Sequence, residues 1–228
     1  MPNYSIKIND MGRTEFSPHL VFDKSKKYEI ALVHGLVPRT WYNISSALGN
    51  NSYTWNATPY TLEDGTYDLD SMLEHIQATI TPSVNMAGIR HSGKIRISNG
   101  SPSDLILEGL APVLGFSNPT TITAGSSITS PNKADFSGGV LEVELHCDLI
   151  DRRYCRHRGR TSNILKSIIA DAQPLSHIEC VRDIHFLPMT NVETLSSITL
   201  EMKDHLGRDI DINGNSAEFL INIRPIKE

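Results

Sequence analysis

Cysteine is scarce in this chain. Cys147, Cys155 and Cys180 are the only three. Their low, odd count and irregular spacing exclude a disulfide scaffold and fit a protein made in a reducing compartment. No apolar run approaches the length of a membrane span. Residues 1–9 hold no basic stretch followed by an apolar one, so no secretory leader is expected there. The five Asn-x-Ser/Thr sequons, at Asn3, Asn43, Asn50, Asn56 and Asn99, therefore read as Asn- and Ser-rich turns. Positive charge is not in excess either. Lys and Arg number 21 against 26 Asp and Glu, a net charge of -5, which argues against a general nucleic-acid binder.

Catalytic patterns are missing as well. There is no Gly-x-Ser-x-Gly elbow, no P-loop, no set of Rossmann glycines and no His-x-His pair. His146, Cys147, Cys155 and His157 suggest zinc by type but not by spacing, and adjacent residues on a strand point to opposite faces. Asp204, Asp209 and Asp211 do not match an EF-hand loop; an Asp-rich β-turn is the ordinary explanation. The expectation is a protein that is not an enzyme, with no catalytic residues, no cofactor and no metal.

What is present is strand and turn. Hydrophobic residues make up 39% of 228 and charged residues 21%, which is globular composition. About ten short strand patterns recur, with turn residues every eight to fifteen positions, as in a β-sandwich or barrel. The longest is 27–37, whose near-continuous apolar run fits a strand buried on both faces. Residues 140–150, 163–169, 195–202 and 217–224 follow, with a short return strand over 209–214. Residues 53–55 and 60–62 read as hairpin arms across 56–59. Residues 117–139 are rich in Ser, Thr, Asn, Pro and Gly and read as a long flexible connection. The domain expected is one, over 1–228.

One helix interrupts this pattern. Leu69, Met72, Leu73, Ile76 and Ile80 fall on one face of a 3.6-residue repeat. Asp68 is placed to cap the first turn, and Thr81-Pro82 to end the helix. The apolar face is expected to pack across the sandwich. Two further stretches draw notice. Trp41 and Tyr42 leave the long strand, and amphipathic rings suit either a lid over the core edge or a subunit contact. Residues 151–160 carry Arg152, Arg153, Arg156, Arg158 and Arg160. Their guanidinium forks suit carboxylates or phosphates of an acidic partner, and the plain alternative is a charged edge that discourages stray strand pairing.

The order of these motifs resembles a known family. A long strand runs into Trp41-Tyr42-Asn43; a strand and Gly65-Thr66-Tyr67 lead into the helix; a hairpin then leads to Leu114-Gly115-Phe116. This is similar to the penton or minor capsid proteins of the adenovirus, virophage and Polinton (Maverick) lineage, over roughly 27–116 in motif and over 195–224 in pattern. The resemblance implies an all-β, mainly antiparallel single jelly roll with one inserted amphipathic helix. It further implies a structural virion protein that pentamerises at an icosahedral vertex, beside a major capsid protein, and carries a fibre or spike. The chain lacks an Arg-Gly-Asp loop and the large distal insertion of adenovirus penton base, so integrin attachment is not implied. The alternative is a trimeric spike or a receptor- or carbohydrate-binding β-sandwich module. Trp41, Tyr42 and the five arginines are the candidate subunit or acidic-partner contacts, with nucleic acid as the other occupant of the arginine loop.

Overall fold

The computed structural model describes residues 3–9, 11–80, 83–153, 156–157, 160–180 and 183–226, with no side-chain account of 156–157 and 160–161. Three strands open the chain: β1 (Tyr4–Ile8), β2 (Gly12–Val21) and β3 (Tyr28–Pro38). Next come β4 (Ser52–Trp55), β5 (Thr58–Thr61), α1 (Leu69–Thr79), β6 (Val84–Ile89), β7 (Lys94–Asn99), β8 (Leu105–Leu107), α2 (Leu110–Val113), β9 (Thr120–Ile122) and β10 (Ser127–Thr129). The last part holds β11 (Glu142–Cys147), β12 (Arg156–His157), β13 (Arg160–Thr161), β14 (Ile164–Ile169), β15 (His177–Cys180), β16 (Leu187–Pro188), β17 (Thr194–Asp204) and β18 (Glu218–Pro225).

Two compact units divide the chain. One joins residues 1–40 to 140–228; the other is 41–139. In the first unit, one sheet runs β1-β18-β3-β15 with β16 also on β3, and the other runs β14-β11-β17-β2. All of these pairings are antiparallel. Setting aside the two-residue strands leaves eight. In chain order the first sheet takes strands one, eight, three and six, and the second takes five, four, seven and two. That interleaving is the eight-stranded jelly roll. Alternation supplies its core: Phe219, Ile221 and Ile223 of β18 are buried, with less buried residues between them. In β17 a bulge between Leu195 and Ser197 shifts the phase, so Leu195 and then Ile198, Leu200 and Met202 are the buried apolar positions.

The second unit has its own core. Its sheets run β5-β4-β8-β9 and β10-β7-β6. Met72 and Ile76 of α1 are fully buried there with Tyr53, Leu62, Ile97, Leu107 and Leu110. The β4–β5 hairpin turns at Asn56 and Ala57, both at positive φ (47° and 58°), as a tight two-residue loop demands. Asp68 caps α1 reciprocally. Ser71 N–H donates to Asp68 Oδ1 at 2.8 Å, and the Ser71 hydroxyl accepts from Asp68 N–H at 3.1 Å. Gly115 ends the α2 turn at φ +81°, where an added Cβ would sit 2.4 Å from the Asn132 carbonyl oxygen.

Four expectations differ from this arrangement. The sequence suggests one domain over 1–228, whereas the contacts divide the chain in two. The jelly-roll strands come from both ends of the chain, because their pairings are non-local. Residues 117–139 are not a plain connection: they supply β9 and β10, and Ile122 is fully buried. Helix α1 covers the core of the second unit rather than the sandwich. The return strand over 209–214 reduces to one bridge, Lys203 with Asp209, because the segment is taken up by turns around Asp204 and Asp211.

Candidate assembly surface

Two of the motifs that carry the resemblance, 41–43 and 65–67, meet at one side chain. Asn43 is buried, and its amide is saturated. Nδ2 donates to the carbonyls of Tyr67 at 2.7 Å and Phe136 at 3.0 Å, while Oδ1 accepts from Tyr67 N–H at 2.8 Å. Gly138, at φ +66°, packs against it; a Cβ there would lie 2.8 Å from Asn43 Cα. The adjoining backbone pairs Ile44 with Gly65. Trp41 is buried, its indole N–H donating to the Ser137 carbonyl at 3.2 Å and its own carbonyl accepting from the Thr66 hydroxyl at 3.1 Å. Tyr42 is different: it is 46% exposed. Of the two aromatics, it is the one whose ring is open at the surface of this unit.

In the jelly-roll unit, β14 and β2 are the edges of one sheet, and β1 and β15 end the main path of the other. Unpaired strand edges are where a second chain adds most readily. At the β14 edge two large apolar side chains are exposed: Leu141 at 59% and Ile169 at 72%. Their backbones are adjacent, because Ile169 pairs with Glu142 and Ala170 N–H donates to the Leu141 carbonyl at 3.0 Å. Successive residues alternate, so Ile169 shares the outer face with Glu142 while Leu141 lies on the other face. The sequence reading missed this pair. Ile169 lies inside an apolar run, where nothing local marks one residue as uncovered.

The arginine loop is described in part. Asp151 is buried and holds Arg153 through Nε at 2.9 and 3.1 Å and Nη2 at 2.5 Å. The Arg153 side-chain hydrogen bond keeps the Asp151 carboxyl below the usual aspartate range. Arg152 is exposed. Arg156 and Arg160 contribute backbone to the β12–β13 pair; their side chains, and all of Arg158, lie outside the described residues.

Two of the four zinc candidates, His146 and Cys147, have described side chains, and these differ in setting. His146 faces Glu144, with Nε2 and Oε2 3.4 Å apart, and Asn163, with Nδ1 and Oδ1 3.0 Å apart. Cys147 is in the core, where burial pushes its thiol up to about 12. Cys155 and the His157 side chain lie outside the described residues. Among the described residues no group of three His, Cys, Asp or Glu is placed to hold a metal. Asp204 is a turn residue. Its carboxylate accepts from the N–H groups of Leu206 and Arg208, both at 2.9 Å, and from Arg208 Nε at 2.6 Å. Burial works to raise its pKa, and the hydrogen bonds from Arg208 and Leu206 together with the Arg208 charge outweigh burial and hold it low.

One cleft of about 520 Å³ lies in the jelly-roll unit, lined by Lys27, Tyr28, Asp151, Arg153, Pro188, Met189, Asn191 and Ile226. It gathers four separate chain segments, so no local pattern in the sequence announces it.

No family model and no curated protein matches the chain. Among solved structures, a selenomethionine-labelled mavirus penton protein is similar, with a TM-score of 0.49, 10% sequence identity, and coverage of 99% of this chain and 100% of that one.

Proposed function

We propose that this chain is a structural capsid protein, a penton-like minor subunit that self-associates as a pentamer at the vertex of an icosahedral shell. The observation that carries the reading is the β14 edge of the jelly roll, which no further strand covers among the described residues, with Ile169 uncovered on it. A large apolar side chain at an unpaired edge is a hazard to a free monomer and an asset to a subunit. A side-on contact that joins different faces of neighbouring copies closes into a ring when the rotation between copies is a whole fraction of a turn. The resemblance in the 27–116 motifs supports the vertex position, and Asn43 ties two of those motif segments, 41–43 and 65–67, into one hydrogen-bonded group with Phe136.

The reading assigns roles to the candidate residues. Tyr42 offers an exposed ring for a subunit or spike contact. Trp41 holds the strand exit in place. The arginine loop meets an acidic neighbour. The location is the virion, the neighbour in the shell is the major capsid protein, and the role is not enzymatic. Cryo-electron microscopy of particles assembled with and without this chain tests the position: the reading expects density lost at the fivefold vertices alone. Trimeric density projecting from the shell would instead make it a spike, and sugar binding by a free monomer would make it a lectin-like module.

A further inference from the structure

We propose that the cleft between the start of β3, the loop after β11 and the end of β18 is a docking site for a short peptide that carries an aliphatic side chain next to a carboxylate. The floor is apolar: Met189 and Tyr28 are buried, and Pro188 and Ile226 complete it. It is also fixed. Met189 N–H donates to the Tyr28 carbonyl at 2.9 Å, Ile226 N–H to Lys27 at 2.8 Å, and Asp151 N–H to Pro188 at 3.0 Å. Its volume falls within the roughly 300–1,000 Å³ of small-ligand sites.

Charge selects the occupant. Asp151 and Arg153 neutralise each other across their paired hydrogen bonds. Three lysines precede Tyr28. Lys24 pairs with Glu193 at 2.6 Å and Lys26 with Asp23 at 3.0 Å. Lys27 lines the cleft and has no ion-pair partner among the described residues. Among the described residues the cleft thus offers one positive charge, on Lys27, beside an apolar floor. That matches one carboxylate adjoining one aliphatic side chain. A nucleic acid strand would present a row of phosphates and call for a row of free cations. The proposal does not rest on the capsid reading, because the cleft lies within one unit of one chain.

The test is selection of random hexapeptides displayed on phage against the immobilised full chain, followed by fluorescence anisotropy with the enriched peptide. The expected result is a consensus that places Asp or Glu beside Leu, Ile, Val or Met. Lys27→Glu, at an exposed position that leaves the fold intact by circular dichroism, should weaken that peptide by tenfold or more. Met189→Glu should weaken it as well. Failure to enrich such a consensus, binding unchanged by Lys27→Glu, or displacement of the peptide by a single-stranded oligonucleotide at equal concentration would each overturn the proposal.

Discussion

At the scale of single residues, Asn43 is the most consequential side chain in the second unit. Its amide serves two carbonyls and one N–H in a site closed to water. Asn43→Ala would strand those three groups, and urea denaturation should register a loss of about 2–4 kcal/mol. Asp204 makes a different claim, one on pH. Its folded-state pKa lies below the ordinary aspartate value of 3.8. A depressed carboxylate contributes stability that is complete above the unfolded value and is lost as pH falls through the folded one. Asp204→Asn removes that contribution. The stability gap between wild type and variant should be constant near neutrality and shrink below about pH 4. A gap that stayed constant down to acid pH would place the Asp204 effect in shape rather than charge. Neither role was fully legible in the sequence. Asn43 stood out through its place beside Trp41 and Tyr42, but its partners lie 24 and 93 positions away.

At the scale of elements, α1 was the most legible feature, because a helix is specified by neighbours a turn apart. Both its apolar face and the Asp68 cap followed from spacing, and Met72 and Ile76 are buried as that spacing requires. Asp68→Ala should cost about 1 kcal/mol in thermal or chemical denaturation, since it removes the carboxylate that accepts from Ser71 N–H. The strands were legible as strands for the same local reason: alternation marks a face. Alternation does not name a partner. β1 pairs with β18 and β18 with β3, across nearly the whole chain. Nothing in 4–8 says that 219–223 lies beside it. The same blindness set α1 across the sandwich rather than in the core of the second unit and left β9 and β10 inside a segment read as a connection. Their short, polar sequences stay ordered through pairing with β8 and β7.

At the scale of the whole molecule, the all-β class was readable from turn spacing, whereas the jelly roll entered through a family resemblance and is visible in the strand order itself. The division into two units was not readable, because composition changes little across residues 40 and 140. The account of assembly turns on Ile169, uncovered at the β14 edge. Ile169→Lys puts a charge on a side chain that is 72% exposed, so the monomer should fold with a stability change within about 0.5 kcal/mol. The same charge in a buried subunit contact is costly. Sedimentation velocity across a concentration series, on wild type and Ile169→Lys, tests the central claim most directly. The account predicts a wild-type species with the mass of five 25.3 kDa chains and a variant with the mass of one. A wild-type trimer, a wild-type monomer at every concentration, or a variant that assembles as well as wild type would contradict it.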